Sequence, residues 1–151
     1  PFQDGDFSQE KLKEAYNADL ANGLGNLVSR VAKLSENSNY NHSQGLSDIS
    51  SHIISVEKYE EAILDFRFND CLFFVWEKIN NLDKYINQEK PWDLIKRNDS
   101  RLKDVLSHAV DEIQEIAVLL EPFIPETAKK IEEQFKGPKI KSGEPLFPRL
   151  Q

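Results

Sequence analysis

The sequence predicts an all-α protein, in which an antiparallel helix bundle is followed by an extended C-terminal tail. Apolar residues recur at steps of three and four in several segments, which is the spacing of one buried helix face. Prolines and glycines mostly stand between those segments, and no stretch of useful length alternates apolar and polar residues as a strand would. We therefore expect one domain over residues 1–151, with the bundle at about 8–136 and the tail at 137–151.

Two helices are predicted in the first third of the chain. Ser8 can cap a short helix from about Gln9 to Tyr16, and a second helix begins near Asn17 or Ala18. The buried stripe of the second helix consists of Leu20, Leu24, Leu27, Val31 and Leu34. The region from Glu36 to Gly45 is rich in Asn, Ser and Gly and is predicted to be a loop.

Gly23 and Gly25 interrupt this second helix, where each costs about 1 kcal/mol relative to alanine. We expect a close contact at these glycines to offset that cost. The close approach of another helix is the ordinary explanation, and contact between a ligand and the backbone is the alternative.

Two further helices are predicted in the middle of the chain, either as a helical hairpin or as one bent helix. The first begins at Val56 and carries Tyr59, Ile63 and Phe66 on one side. The second begins near Asn69. Its apolar residues are Leu72, Phe73, Trp76, Ile79, Leu82 and Ile86.

Pro91 ends this helical pattern, because proline lacks an amide hydrogen and disfavours the helical region for the residue before it. Trp92 therefore lies just past a corner, inside a basic stretch that contains Lys90, Lys96 and Arg97. Unpaired RNA bases stack on aromatic rings while cations hold the phosphate backbone, so Trp92 is a candidate stacking platform. A tryptophan after a turn can equally fill a gap in a bundle.

Two more helices are predicted in the last third of the chain. One is capped by Ser100 and runs to Leu120, before Pro122. Its buried residues are expected to be Leu102, Val105, Leu106, Ala109, Ile113, Ile116 and Leu120. The other begins at Pro125, since proline is favourable at the first helical position, and is closed by Gly137. Its inward residues are Ala128, Ile131 and Phe135.

The formal charge is unevenly distributed. The chain carries −7 in total, whereas the stretch from Lys90 to Lys103 has five basic and two acidic residues, a local +3 that leaves −10 for the remainder. Affinity for phosphate backbones comes largely from Lys and Arg. A small basic patch on an acidic body is typical of a protein that contacts RNA at one place, although a solvated charge cluster has the same pattern.

The sequence favours a cytoplasmic protein with no membrane partner. The lone Cys71 is expected in the core and cannot form an intramolecular disulfide. No apolar run reaches the roughly 18 residues of a membrane span, and the N-terminus lacks a signal pattern. The chain begins with Pro1 rather than Met, which suggests a piece of a longer protein.

Asn26 and Arg30 lie four residues apart in the second helix, so they share a face opposite to the apolar stripe. Asn22 extends this row by one turn. An amide that both donates and accepts, beside a forked guanidinium, can read the edges of unpaired bases and hold their phosphates. An ordinary polar helix face has the same composition.

No catalytic or metal site is predicted. The three histidines, His42, His52 and His108, lack the spacing of a ligand set or a catalytic dyad. The sequence also lacks a glycine-rich phosphate loop, a nucleophile elbow and a metal motif.

The sequence resembles the anticodon-binding domains of methionyl-tRNA synthetases, which are class I aminoacyl-tRNA synthetases. The resemblance covers almost the whole chain. Its motifs are Asp4–Ser8, Tyr16–Arg30, Trp76, Tyr85–Asn87, Lys90–Trp92, Pro122–Ala128 and Pro145–Arg149. The first motif, Asp4–Ser8 followed by Tyr16–Arg30, is shared loosely with sister class I synthetases, and its combination with Lys90–Trp92 points to the methionine enzymes. Gln9 departs from the pattern, since many relatives have tryptophan there.

The resemblance implies a bundle of the class I anticodon-binding type that recognises the methionine anticodon, CAU. Asn26 and Arg30 then match residues that contact the anticodon. Trp92 matches the ring that stacks on an anticodon base, and Pro91 orients that ring. Candidate contacts to the tRNA backbone are Lys90, Lys96 and Arg97.

The resemblance also implies that this fragment is not itself an enzyme, because the HIGH and KMSKS-type signatures of the family's catalytic half are absent. Catalysis would belong to a catalytic domain of the parent chain, with ATP and Mg²⁺, and with zinc as a possible addition; no cofactor is expected in this domain. Two alternatives stay open: the corresponding domain of another class I synthetase, and a helical interaction module without an RNA role, which the acidic charge favours.

Overall fold

The computed structural model describes residues 8–42 and 56–150, and these form helices joined by turns, which confirms the all-α class. The elements are α1 (Gln9–Ala15), a π-helical segment (Tyr16–Gly25), α2 (Asn26–Asn37), α3 (Val56–Leu64), α4 (Phe68–Glu89), α5 (Pro91–Arg97), α6 (Leu102–Leu120) and α7 (Pro125–Phe135). None of the helices described is long and apolar enough to cross a membrane. Within the same two ranges, no group of His, Cys, Asp and Glu side chains is arranged to hold a metal ion.

α1, the π-helical segment and α2 form one continuous helix, so the predicted break near Asn17 is wrong. The backbone stays in the right-handed helical region at both junctions. Ser8 caps the start as predicted, since its side chain accepts a 3.1 Å hydrogen bond from the Lys11 amide. The helix runs to Asn37, beyond the predicted start of the loop, and the part of that loop after His42 lies outside the described residues.

The two glycines lie inside the π-helical segment. A Cβ on Gly25 would stand 3.0 Å from the Leu20 carbonyl oxygen and 3.3 Å from Cδ2 of Phe147. A Cβ on Gly23 would stand 3.5 Å from the Ala18 carbonyl oxygen, an ordinary contact. The predicted approach of another helix is therefore wrong: the C-terminal tail is the segment that comes close to Gly25.

α3 and α4 form the predicted hairpin, but two of the predicted inward residues are exposed. Phe66 lies in the turn after α3 with a left-handed φ of 57°, and it is 78% exposed. Phe73 in α4 is 68% exposed. The buried stripe of α4 consists of the predicted Ile79, Leu82 and Ile86 together with Cys71 and Val75. The burial of Cys71 confirms its assignment to the core.

α4 ends at the predicted corner. Glu89 is its last residue, Lys90 adopts a left-handed φ of 47°, and Pro91 is buried at the first position of α5. The sequence pattern does not predict α5, because its seven residues are too few to show a helical period. Leu94 is buried, and α5 packs against α6.

α6 is the central helix and packs against α2, α4, α5 and α7. Its predicted cap is wrong, because α6 begins at Leu102 and Ser100 makes no capping bond. In the turn before the helix, Oδ1 of Asp99 accepts a 3.0 Å hydrogen bond from the Arg101 amide. The largest fully buried side chains of the core include Leu24, Leu27, Leu82, Ile86, Leu106, Ile113, Ile116, Leu120, Ile131 and Phe135.

α4 and α6 run antiparallel, as their ends show. At one end Arg101 lies 3.6 Å from Glu89. At the other end the rings of Phe68 and Phe123 meet edge to face, with centroids 6.2 Å apart. The bundle therefore has one end at the α4–α5 corner and the opposite end at the α3–α4 turn.

The tail returns along the bundle after α7, which begins at Pro125 and buries the three predicted residues. The His42 amide donates to the Pro138 carbonyl oxygen at 2.8 Å. Further along, Gln134 Nε2 donates to the Lys141 carbonyl oxygen at 2.8 Å. Residues 138–150 contain no helix. They extend back along the bundle as far as the π-helical segment, where Asn17 hydrogen-bonds to Leu150.

Candidate nucleic-acid interface

Arg30 is held by two side chains of α4. Its Nη1 lies 2.5 Å from Oδ1 of Asp83, and its Nη2 donates to Oδ1 of Asn87 at 2.8 Å. Asn87 Nδ2 in turn donates to Oδ2 of Asp83 at 2.9 Å. The three side chains form a closed ring of hydrogen bonds between α2 and α4. These bonds fix the direction of the Arg30 guanidinium. The Arg30 side chain is 28% exposed, so part of it faces solvent beside the Asp83 carboxylate.

Asn26 lies on the exposed side of α2, next to a groove of about 400 Å³ between the helix and the tail. The groove is lined by Ala21, Asn22, Gly25, Asn26, Ser29 and residues 145–149. Asn22 Oδ1 accepts a 2.6 Å hydrogen bond from Nη2 of Arg149, so this amide holds the tail. Within the described part of the chain the Asn26 side chain makes no hydrogen bond, which leaves its amide available to a ligand.

Trp92 is partly exposed at the corner between α4 and α5, with 37% of its surface open to solvent. The corner is rigid for local reasons. Lys90 turns the chain through its left-handed conformation, and the buried Pro91 ring fixes the first φ of α5. Leu94 is buried and anchors the short helix. The indole is therefore attached to a fixed backbone, as a stacking platform requires.

Asn87 links Arg30 on α2 to the end of α4, after which Trp92 follows. It lies in the last turn of α4, a few residues before Trp92, and it accepts a hydrogen bond from Arg30. Asn26 is one helical turn from Arg30 on α2. The structure thus places the Arg30 guanidinium beside the end of α4, from which the corner continues, whereas Asn26 faces the groove along the tail.

The predicted backbone contacts, Lys90, Lys96 and Arg97, are all exposed. Lys96 Nζ lies 3.5 Å from Asp93, an exposed pair of the kind that contributes about 0–1 kcal/mol and leaves the ammonium available. Neither Lys90 nor Arg97 forms an ion pair with any residue in 8–42 or 56–150. Three cations next to Trp92 are therefore free to meet phosphate groups.

Asp83 and Arg149 are polar residues of this region whose contacts the sequence does not predict. Asp83 and Asn87 have the spacing that places them on one helix face, but nothing in the sequence shows that Arg30 faces them. The contact of Arg149 with Asn22 spans 127 residues, so no local pattern marks it.

Comparison with known proteins assigns the family. Residues 32–144, about three quarters of the chain, match the family described as the anticodon binding domain of methionyl tRNA ligase. The chain is 33% identical, over 99% of its length, to the methionine–tRNA ligase of Clostridium acetobutylicum. It is 31% identical, over its whole length, to the enzyme of the same name from Bacillus subtilis.

The fold is also similar to a solved structure, the free form of Mycobacterium tuberculosis methionyl-tRNA synthetase. The TM-score is 0.80 at 24% identity, and the match covers 99% of this chain and 36% of that one. This chain spans 28% and 27% of the lengths of the Clostridium acetobutylicum and Bacillus subtilis relatives. It belongs to the family of anticodon-binding domains of methionyl-tRNA ligases.

Proposed function

We propose that this chain reads the anticodon CAU of methionine tRNA within a longer protein that attaches methionine to that tRNA. The observation that carries the proposal is the partly exposed Trp92 on its proline-fixed corner, linked through Asn87 to Arg30. One anticodon base stacks on the indole, Asn26 and Arg30 hydrogen-bond to neighbouring bases, and Arg30 also holds a phosphate of these nucleotides. The family match favours methionine over the sister class I synthetases.

The charges around the corner support the same proposal. Lys90, Lys96 and Arg97 hold the phosphates on either side of the stacked base. The rest of the chain carries a formal charge of −10, which repels RNA elsewhere and directs it to the corner.

Attachment of methionine would take place in the catalytic domain of the parent chain, outside these residues. After the tRNA, that domain would be the second partner of this chain. It would use ATP and Mg²⁺ for catalysis, and the proposal allows it to bind zinc as well. The contribution of the present chain is recognition of the tRNA.

Binding of fluorescent anticodon stem-loops tests the proposal. We expect tighter binding of the CAU loop than of a loop with one changed anticodon base. Trp92→Ala should weaken CAU binding by about 1–3 kcal/mol, the usual contribution of one base–aromatic stack. Phe73→Ala, which removes an exposed aromatic ring from the first half of α4, is the control and should bind as the wild type does. Equal discrimination by the wild type and Trp92→Ala would show that Trp92 does not read the anticodon.

A further inference from the structure

The π-helical segment contacts the C-terminal tail through two asparagines. Asn17 Nδ2 donates to the Leu150 carbonyl oxygen, and Asn17 Oδ1 accepts from the Leu150 amide, both at 3.0 Å. Asn22 accepts from Arg149. Residues five apart lie on different faces of an α-helix, where the neighbours are three and four apart. In a π-helix the bonding from i to i+5 brings them into line, so both contacts with one tail depend on this conformation.

Phe147 contacts both ends of the same segment. Its ring meets Tyr16, the first residue of the segment, edge to face with centroids 6.1 Å apart. Its Cδ2 lies 3.3 Å from the position that a Cβ on Gly25, the last residue, would take, which is a tight contact. The tail therefore touches the π-helical segment at its start, its middle and its end.

A π-helical stretch of ten residues needs such support, because π geometry mostly occurs as single-turn bulges. If the segment rewound as α-helix, Asn17 and Asn22 would point in different directions, and one set of contacts with the tail would be lost. The tail contacts thus favour the π conformation over the α conformation. The conformation also reaches the candidate site, since the backbone N–H of Asn26 donates to the Ala21 carbonyl oxygen, five residues back, as well as to that of Gly23.

We propose that tail residues 147–150 shape the groove beside Asn26, and that Asn17 is a positioning residue for the RNA-reading side chain of Asn26. By holding the segment in the π form, the tail sets the width of the groove and the direction in which the Asn26 amide meets an unpaired nucleotide. This inference rests on the proposed function, and it adds a role for residues that need not touch RNA themselves.

The test uses the 151-residue chain carrying Asn17→Ala, which removes both hydrogen bonds to Leu150. Gln134→Ala is the matched control, because it removes an amide-to-carbonyl bond to the tail at Lys141, away from the π-helical segment. The two readouts are amide hydrogen exchange over residues 16–25 and the ratio of affinities for CAU and changed stem-loops. We expect Asn17→Ala to speed exchange in that segment and to lower the affinity ratio about tenfold, whereas Gln134→Ala changes neither.

The outcomes separate this inference from the proposed function. Equal binding of both stem-loops by the wild-type protein contradicts the proposed function and removes the basis of the inference. Discrimination that is present in the wild type and unchanged in Asn17→Ala overturns the inference alone, whether or not exchange is faster. If Asn17→Ala does not fold, Phe147→Leu gives the same two readouts, because it keeps apolar volume and loses the ring contact with Tyr16.

Discussion

The guanidinium of Arg30 is paired with the carboxylate of Asp83, 2.5 Å away, on the surface proposed to bind RNA. A phosphate that approaches Arg30 must therefore compete with a resident anion. Because the two side chains are partly exposed, the pair contributes only about 0–1 kcal/mol to stability. We expect its main effect to be on the affinity for RNA.

Asp83→Asn removes the negative charge and retains an oxygen that can accept from Arg30. We expect tighter binding of all stem-loops and a salt slope that is steeper by about 0.7, the value for one more phosphate contact on single-stranded RNA. Asp70→Asn is the control, since Asp70 forms a similar exposed pair with Arg67, 2.6 Å apart, at the other end of the bundle. An unchanged affinity and slope in Asp83→Asn would mean that Arg30 does not meet a phosphate.

Gly25→Ala and Gly23→Ala should have different effects on stability. At position 25 the added Cβ meets a carbonyl oxygen at 3.0 Å and the Phe147 ring at 3.3 Å, so we expect a loss of about 1–3 kcal/mol. At position 23 the nearest atom is 3.5 Å away, so alanine should be neutral or stabilise by up to about 1 kcal/mol. Urea denaturation measures both free energies, and equal values would contradict the tight contact with the tail.

Lys90→Gly should stabilise the protein. Lys90 has a left-handed φ of 47°, which costs a residue with a side chain about 1 kcal/mol and costs glycine little. Thermal denaturation should therefore show a higher Tm. Lys84→Gly, in the regular part of α4, should lower the Tm because glycine weakens a helix interior. A fall in Tm for both variants would show that the conformation of Lys90 is not strained.

The stability of the protein should fall between pH 10 and pH 12 through Tyr59. Burial raises the pKa of Tyr59 to about 12, from an ordinary value of 10.0, and its hydroxyl donates to the Leu119 carbonyl oxygen at 2.5 Å. The unfolded chain loses this proton first, so the stability from the neutral phenol is complete below pH 10 and is lost as the pH rises through the folded value. Tyr59→Phe should be less stable at pH 8 by about 1 kcal/mol and should decline less above pH 10. Parallel pH profiles for the two proteins in urea denaturation would contradict this assignment.

Apolar periodicity was sufficient to predict the helices whose buried faces are regular. It identified α7 with its three inward residues, while Pro91 marked the corner at which α4 ends. It failed for Phe66 and Phe73, because a periodic pattern cannot show which of two adjacent apolar stripes faces the core. The continuity of the first helix was also missed, and its contacts with a tail more than a hundred residues away follow from no local pattern.

The sequence could predict those parts of the candidate site that depend on the chemistry of single residues and their close neighbours in the chain. Trp92 beside Pro91 in a basic stretch suggested a stacking ring on a rigid corner, and the structure has it partly exposed there. The partners of Arg30 could not be predicted, because Asp83 and Asn87 belong to a helix whose packing the sequence does not specify. Polar contacts between residues far apart in the sequence determine which side chains are available to bind a ligand.

The stacking of an anticodon base on Trp92 is the central claim, and fluorescence tests it directly. The chain has two tryptophans, so Trp76→Phe leaves Trp92 as the sole indole reporter. The account predicts that the CAU stem-loop quenches this emission in a saturable titration, and that a loop with a changed anticodon does so only at higher concentration. Emission that stays constant while anisotropy shows the CAU stem-loop to be bound would contradict it.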